Sequence, residues 1–450
     1  MLIQRAVLLD GPVVDIRLAD TITEVAPRLE ARRGEDVLDA RNATVIPGLH
    51  DHHLHLRSAA AALDSVCLGP PQVRTVDELA AALRSATPDR DGWVRGYGYH
   101  ESVAGELNAA LLDRFSPEVP VRVAHRSGAL WVLNSAGLAR TAMADHGDGR
   151  LLRAHGDPVP RLPHREPSLT RLSRRLAAWG VTGITEATPD HGDADLAVFA
   201  AARRTGELLQ RLHCLAPAGV VAPPGVTLGP TKTILDDARL DLDALAKALC
   251  DNHSRDHGVA LHCVTDAQLT VAIAAWQTAG VHRDDRIEHA AVVPDDRLAD
   301  LAALGITVIT QPNFVAERGD DYLAEIEADR HHELWRLASL RDNGIAVALS
   351  TDTPFGDGDP WAAMRAAVHR STPGGVVLGR TERIAAREAL AMFTGRPERP
   401  AALRRIAPGE PGDVCLLAAD PAEALAALDA DLVAVTVVAG GVVSQRSGSR

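Results

Sequence analysis

Several features are scarce in this chain of 450 residues, and each absence excludes a class of protein. Aromatic residues make up only 3% of the sequence, so few flat side chains are available to stack on the sugar rings of a carbohydrate. The five cysteines form no CxxC pair and follow no regular spacing. We therefore expect reduced thiols in a cytoplasmic protein. No apolar run approaches membrane-spanning length, and residues 1–10 lack the pattern of a signal peptide.

Lysine is nearly absent, because only Lys232 and Lys247 among the 47 basic residues are lysines. If the coding sequence is biased towards arginine codons, lysine should remain mainly at positions whose function requires an amine. Lys247 lies in an amphipathic helical stretch and is expected to be exposed. Lys232 lies in a strand-like run, residues 231–235, where burial could keep its amine neutral. A neutral amine can react with carbon dioxide to form a carbamate, which is an anionic metal ligand, whereas arginine cannot.

The formal net charge is −13, and the acidic residues are scattered along the chain. This balance argues against nucleic acid and against an anionic membrane surface as partners. An apolar fraction of 46% is ordinary for a globular protein with a sizeable core. We therefore expect a small-molecule substrate, and the chain is also compatible with a homodimer.

The most informative stretch is residues 44–55, TVIPGLHDHHLH. A short apolar run leads into His53 and His55, which lie on the same face of an extended chain because side chains alternate in a strand. Two imidazoles on one face are half of a metal site. A lone His-x-His is more often a solvated turn, but partners further along the chain favour the metal site.

Eight strand-like runs alternate with helical patterns, which predicts an α/β fold, specifically a TIM-like (β/α)8 barrel. The predicted strands are residues 44–50, 181–187, 209–215, 231–235, 259–263, 286–289, 306–311 and 346–350. The predicted helices between them include residues 193–205, 241–254, 266–279, 295–304 and 322–343. In such a barrel, functional residues collect at the carboxyl ends of the strands.

The domain organisation follows from where this alternation begins and ends. The barrel is expected over residues 44–395, with an insertion at about 57–179 over its mouth, because that stretch is too long for a loop. The insertion includes a predicted helix at residues 76–86. Residues 1–43 and 396–446 alternate apolar and polar residues, so both chain ends are expected to pair into a flanking small β-sandwich.

Four further candidates fall at or near the ends of later predicted strands: Lys232, His262, His289 and Asp352. Each has a structural alternative, since a buried histidine can be a hydrogen-bonded core residue and Asp352 can cap a helix. Taken together with His53 and His55, they supply nitrogen and oxygen ligands that suit zinc or a similar divalent ion.

These motifs resemble the amidohydrolase superfamily, which adopts the predicted barrel and hydrolyses carbon–nitrogen bonds. The segments 383–395 and 406–414 are similar to the closing part of those enzymes. Within the superfamily, residues 94–99, 120–135 and 350–355 resemble the YtcJ-like group, which includes N-substituted formamide deformylases. The chain departs from that group at Ala129, at residues 98–100 and at residues 236–238.

The resemblance implies a zinc-dependent site with one or two metal ions per chain. His53, His55 and Asp352 would hold one ion, His262 and His289 the second, and carboxylated Lys232 would bridge them. Metal-activated hydroxide would attack the carbonyl of an amide, N-formyl or N-acyl amine, with Asp352 as the catalytic proton acceptor.

Two alternatives stay open at this point. The first is a mononuclear aminohydrolase (deaminase) or cyclic amidohydrolase with an unmodified Lys232, and the metal count separates it from the binuclear enzyme. The second is a catalytically inactive metal-binding protein, against which the complete ligand set argues. Substrate contacts are expected from Arg126, which could bind a carboxylate, and from Tyr97 and Trp131, although each could equally be structural.

Overall fold

The computed structural model describes residues 1–152 and 166–446. The chain divides into two compact units, of which the first combines Met1–His55 with Leu172–Arg450 and the second is Leu56–Arg171. Residues 153–165, which belong to the insertion expected from the sequence, lie outside the described residues.

The first unit begins with six strands. They are β1 (Leu2–Leu8), β2 (Val13–Leu18), β3 (Ile22–Ala26), β4 (Val37–Asp39), β5 (Thr44–Pro47) and β6 (Leu49–Leu54). The single strand predicted at residues 44–50 is therefore wrong, because β5 and β6 join different sheets. The break lies at Gly48, where a Cβ atom would come within 2.2 Å of the Thr182 side chain. Only glycine fits this close approach between chain segments.

The second unit is a mixed α/β unit built on one five-stranded sheet with the order β11-β10-β9-β8-β7. Its elements are α1 (Leu56–Leu63), β7 (Val66–Cys67), α2 (Val76–Ser85), β8 (Val94–Tyr99), α3 (Glu101–Ala104), α4 (Ala109–Asp113), β9 (Val121–His125), β10 (Leu130–Leu133), α5 (Ser135–Arg140) and β11 (Arg150–Leu152). Helix α2 matches the predicted helix at residues 76–86. It begins with a capping box in which the Thr75 side chain accepts from Glu78 N and the Glu78 side chain accepts in return from Thr75 N.

From Thr170 onward, strands and helices alternate. The elements up to β19 are α6 (Thr170–Ala178), β12 (Val181–Glu186), α7 (Asp193–Arg204), β13 (Arg211–Leu215), β14 (Val226–Gly229), β15 (Thr231–Ile234), α8 (Leu242–His253), β16 (Val259–Cys263), α9 (Asp266–Ala279), β17 (Arg286–His289), α10 (Leu298–Leu304), β18 (Thr307–Thr310), α11 (Asn313–Glu325), α12 (Ala338–Asp342) and β19 (Val347–Leu349). They are followed by α13 (Pro360–His369), α14 (Ala386–Ala391), β20 (Val414–Leu417), α15 (Pro421–Ala427), β21 (Val433–Val438) and β22 (Gly441–Gln445).

Two parallel sheets carry the α/β character that the alternation predicts. One has the order β14-β13-β12-β6 and the other the order β15-β16-β17-β18-β19. Every neighbouring pair in both sheets is parallel. Parallel strands need crossover connections, which the intervening helices supply.

Strand β14 is absent from the sequence prediction, because Gly225 before it and Pro230 after it look like loop residues. Pro230 separates β14 from β15, and a proline has no N–H with which to continue a ladder. The chain therefore changes partners at this residue, with β14 beside β13 and β15 beside β16.

The single helix predicted at residues 322–343 is also wrong. Helix α11 begins nine residues earlier in the chain, at Asn313, and ends at Glu325. A short 3-10 helix, Ala328–Glu333, and then α12 follow it. The apolar spacing continues through this region because Leu334, Trp335 and Leu337 are buried, but they are buried from a bent segment rather than from one helix face.

The two chain ends share one sheet, with the order β22-β21-β20-β5-β1-β2-β3 and with β4 paired to β1. Apolar residues from both ends form one buried cluster that includes Ile3, Ile16, Leu416 and Val437. None of the helices in residues 1–152 and 166–446 combines the length and the apolarity that a membrane span requires.

Candidate metal centre

His53, His55 and Asp352 lie together where β6 ends and just beyond the end of β19. The Nε2 atoms of His53 and His55 lie 3.6 Å and 3.4 Å from Oδ1 of Asp352. The backbone brings them together, because Asp352 N donates to His53 O at 3.0 Å. Among the described residues, these three form the one group of histidine, cysteine and acidic side chains whose ligand atoms all lie within 4.8 Å of one another.

Three of the predicted histidine ligands have their Nδ1 atom engaged by a neighbouring side chain. The partners are Glu288 for His53, Thr188 for His55 at 2.8 Å and Gln311 for His289 at 2.8 Å. A carboxylate only accepts hydrogen bonds, so His53 carries its proton on Nδ1. If His55 and His289 also carry their protons on Nδ1, the Nε2 lone pairs of all three histidines are available to a metal ion.

The electrostatics of the site favour neutral imidazoles. Burial, followed by the nearby Lys232 charge, lowers the pKa of His53 well below its usual value. Burial and the neighbouring His262 act in the same direction on the pKa of His289. Burial also lowers the pKa of His262 to about 3. Since only neutral imidazole can bind a metal ion, these side chains are in the state that a metal site requires.

The buried polar atoms of this region fit a divalent cation. His53 Nε2, Asp352 Oδ1 and Lys232 Nζ are buried and accept or donate no hydrogen bond among the described residues. Leaving such atoms unsatisfied costs about 1–3 kcal/mol each. Two imidazole nitrogens and one carboxylate oxygen are ligands that suit zinc. A cation at this point would therefore satisfy His53 Nε2 and Asp352 Oδ1, which have no hydrogen-bond partner among the described residues.

The backbone at Asp352 is also unusual, with φ at +56°. A left-handed conformation is rare for residues other than glycine, and strain of this kind is concentrated at functional sites. Asp352 lies two residues before Pro354 and is buried. In this conformation its carboxylate lies within 4 Å of His53, in β6, and of His55, which follows β6 directly.

His262 and His289 lie next to this group without joining it. The rings of His262 and His289 are 4.4 Å apart, and those of His53 and His289 are 4.8 Å apart. His289 Nδ1 is 4.0 Å from Asp352 Oδ2. The structure thus brings these five predicted residues into one neighbourhood, with three of them in a tighter cluster.

Lys232 is buried in β15, whereas Lys247 is exposed on α8 and pairs with Asp251 at 2.5 Å. Burial lowers the pKa of Lys232 to about 8, against the charges of Glu288 and Asp352, which raise it. At pH 7, about a tenth of its amine is therefore neutral, far more than for an exposed lysine. The sequence predicts this difference in burial between the two lysines.

The three predicted substrate contacts belong to the second unit. Tyr97 lies in β8, Trp131 lies in β10 and Arg126 follows β9. The guanidinium of Arg122 lies 4.1 Å from the Trp131 ring centre, so one face of this ring packs within the unit. Arg126 N donates to Tyr99 O at 2.8 Å.

Sequence reasoning missed the residues that orient the ligands, namely Asp51, Thr188, Arg286, Glu288 and Gln311. One signal was available, because Arg286 and Glu288 occupy alternate positions of a short strand and must share a face. Two charges on the inner face of a buried strand are unusual and mark a functional or paired site. Thr188 and Gln311 carried no such signal.

The comparisons with known proteins agree on a family. Residues 36–444 match the amidohydrolase family. The chain is 26% identical to the N-substituted formamide deformylase of Arthrobacter pascens, over 99% of this chain and 96% of that protein. It is 23% identical to YtcJ of Bacillus subtilis (strain 168), over 93% of each.

Among solved structures, it is similar to an uncharacterised metal-dependent hydrolase from Pyrococcus horikoshii OT3. The TM-score is 0.73 and the identity 19%, over 93% of this chain and 97% of that one. That likeness supports the α/β fold, while the family match covers most of the sequence. The chain therefore belongs to the amidohydrolase family, with its likeness to the YtcJ-like group, and is a hydrolase that acts on carbon–nitrogen bonds.

Proposed function

We propose that this protein hydrolyses the amide, N-formyl or N-acyl amine bond of a small molecule with the help of a divalent metal ion, zinc in the first place. The observation that carries the proposal is the cluster of His53, His55 and Asp352, whose ligand atoms lie within 4.8 Å of one another. Two imidazoles and a carboxylate brought together in this way are the composition of a hydrolytic metal site.

When bound, such an ion would lower the pKa of a coordinated water towards about 7 and polarise the substrate carbonyl. Asp352 would accept the proton of the attacking water at a carboxylate oxygen. The water oxygen would form a bond to the carbonyl carbon, the carbon–nitrogen bond would break, and Asp352 would return the proton to the departing nitrogen. Water is thereby divided between an acid and an amine, with no other reactant required.

The proposal extends to two ions, with His262 and His289 holding the second and carboxylated Lys232 between them. The support is the proximity of the His262 and His289 rings, 4.4 Å apart, and the buried Lys232 Nζ atom, which has no hydrogen-bond partner among the described residues. Burial lowers the pKa of Lys232 to about 8, which increases the fraction of neutral amine, the form that can react to a carbamate.

A mononuclear aminohydrolase or cyclic amidohydrolase is the second candidate. One observation favours it, because His262 and His289 lie outside the group of three whose ligand atoms converge. In that enzyme Lys232 would stay an amine. The number of ions bound per chain separates this candidate from the binuclear enzyme.

The likeness to N-substituted formamide deformylase suggests N-formyl amines as the first substrates to try. The chain departs from its group in the segments expected to contact substrate, with Ala129, Tyr99 and His100 among the changed positions. We therefore propose that the acyl or amine part of its substrate differs, and a screen should cover both.

We further propose that the two parallel sheets close into one (β/α)8 barrel. Support comes from two backbone hydrogen bonds between the ends of β6 and β19, Asp352 N to His53 O and His55 N to Thr353 O, both 3.0 Å. Strands β14 and β15 would form the fourth strand together, on either side of Pro230. The sheet from both chain ends would belong to the flanking β-sandwich.

The test is turnover by the purified full-length protein, with release of free amine as the signal. N-formyl and N-acyl amines are offered to the zinc-loaded protein, to chelator-treated protein and to chelator-treated protein returned to zinc. We expect hydrolysis that is lost with the metal and recovered with it. Ammonia release from a deaminable ring, without amide hydrolysis, would favour the second candidate. If the protein binds zinc but turns over none of these substrates, the result would indicate a catalytically inactive metal-binding protein.

A further inference from the structure

Arg286 and Glu288 form a buried ion pair on β17. They are separated by one residue, so both side chains lie on the same face of the strand. Arg286 Nε donates to Glu288 Oε1 at 2.5 Å, and the two residues are 3% and 0% exposed. A buried charge is tolerated only when it is paired and hydrogen-bonded. The Arg286 guanidinium therefore stabilises the ionised Glu288 carboxylate in the protein interior.

The other oxygen of this carboxylate is used by a predicted ligand, because Glu288 Oε2 accepts a hydrogen bond from His53 Nδ1. A neutral imidazole has one N–H, so a proton held on Nδ1 leaves the lone pair on Nε2. His53 Nε2 is the atom that lies 3.6 Å from Asp352 Oδ1. Glu288 thus determines both the orientation of the ring and which nitrogen can bind a cation.

We propose that Glu288, anchored by Arg286, is a positioning residue for His53 and that it strengthens metal binding without touching the metal or the substrate. This inference rests on the proposed function, because it takes His53 as a metal ligand. A carboxylate behind a ligating histidine makes the imidazole a better donor and fixes its tautomer.

The backbone next to Glu288 supports a functional role for this strand end. His289 and Ala290 both have positive φ, +77° and +48°. Strained conformations persist where the surrounding structure holds them in place, as at ligand sites. Strand β17 thus ends on one predicted ligand, His289, directly after the residue that orients another.

The same chain contains a matched control. Glu382 is also fully buried and paired with an arginine, with Arg336 Nε donating to its Oε1 at 3.2 Å. Its other oxygen accepts from the backbone N–H groups of Leu337 and Ser339. Glu382 therefore resembles Glu288 in burial and ion pairing, but none of its hydrogen-bond partners in the described part of the chain is a histidine.

The experiment compares the zinc affinity of four full-length proteins, measured by competition with a chromophoric chelator. They are the wild type, Glu288→Gln, Glu288→Asp and Glu382→Gln. Melting of the metal-free proteins, followed by circular dichroism, reports folding separately. Glutamine can donate its amide N–H to His53 Nδ1, which permits the wrong tautomer, whereas aspartate keeps the charge but retracts the acceptor by one methylene.

We expect zinc affinity about 10–100-fold weaker for both Glu288 variants. Glu382→Gln should melt at a lower temperature and bind zinc as the wild type does. Equal zinc affinity in Glu288→Asp and the wild type would overturn the proposal and leave a purely structural ion pair. The zinc affinity of Glu288→Asp tests the positioning role of Glu288 even if Glu288→Gln fails to fold.

The two proposals can fail separately. A wild type that binds zinc but hydrolyses no carbon–nitrogen bond would refute the proposed function, while the affinity comparison would still decide the role of Glu288. A wild type that binds no zinc would overturn both.

Discussion

Asp51, in β6, and Thr351, just beyond the end of β19, are hydrogen-bonded to each other and join the two segments that carry His53 and Asp352. The Thr351 hydroxyl donates to one carboxylate oxygen of Asp51 at 2.5 Å, and the Thr351 N–H donates to the other at 3.1 Å. His53 follows Asp51 by two residues, and Asp352 follows Thr351 directly. The pair therefore sets the spacing between a histidine and an aspartate that are 299 residues apart in the sequence.

Replacing Thr351 with valine should weaken both the fold and metal binding. The substitution keeps the shape and removes the hydroxyl, which leaves a carboxylate oxygen of the fully buried Asp51 with fewer partners. We expect the free energy of unfolding to fall by about 1–3 kcal/mol. Unfolding in denaturant, compared between the variant and the wild type, measures this change in free energy.

Thr436→Val is the control for Thr351→Val, because its buried hydroxyl donates to the backbone oxygen of Ala177 at 2.7 Å rather than to the site. It should lower stability but not zinc affinity. Wild-type zinc affinity in Thr351→Val would show that the pair does not set the ligand spacing.

Lys232→Arg should abolish turnover while leaving the protein folded. Arginine stays charged and cannot form a carbamate, and its guanidinium is larger than the buried amine. Lys247→Arg, a change on the exposed face of α8, should behave as the wild type. Steady-state kinetics and circular dichroism on both variants make the comparison. Retained turnover in Lys232→Arg would eliminate the bridging role of this lysine.

Asp352→Asn should reduce kcat by about 10²–10⁴-fold, since the amide cannot accept the proton that the reaction moves. It should also weaken zinc binding, because a neutral oxygen replaces a carboxylate. Asp420→Asn, at the N-terminus of α15, is a suitable control, since either side chain can cap a helix. A kcat within a few-fold of the wild type would exclude Asp352 as the proton acceptor.

Glu317 on α11 should make stability depend on pH. Burial raises its pKa to about 7 although it accepts hydrogen bonds from Asn313 and from Asp357 N. In the unfolded chain its pKa is about 4.3. Between these values the folded protein binds more protons than the unfolded chain, so the contribution of Glu317 to stability falls as pH rises from about 4 to about 7.

Glu317→Gln removes this dependence. The unfolding free energy of the metal-free variant minus that of the wild type should be about 2.5 kcal/mol higher at pH 8 than at pH 5, at about 1.4 kcal/mol for each unit of pKa shift. Urea unfolding at the two pH values gives this difference. A difference that does not change with pH would show that Glu317 titrates as it does in the unfolded chain.

Local patterns in the sequence predict most of the parallel strands, because each is a short apolar run between helical segments. They also identify His53 and His55, whose spacing follows from the alternation of a strand. Gly48 shows where local reasoning stops, since the chain changes sheets there because of Thr182, which is far away in sequence.

Glu288 and Thr188 illustrate the same limit for the site. Their importance lies in hydrogen bonds to His53 and His55, across 235 and 133 residues of chain. No periodicity within a strand reports such a contact. The sequence predicts one helix across the bent segment after Glu325 for a related reason, because the apolar residues of this segment are buried by tertiary contacts and not along one helical face.

Metal content is the most direct test of the central claim. Elemental mass spectrometry on freshly purified protein should find zinc or a similar ion, with about two equivalents per chain for the bridged site or about one for the mononuclear site. A His55→Asn variant should retain much less. A wild-type protein that holds no metal, even after reconstitution with zinc, would contradict the account.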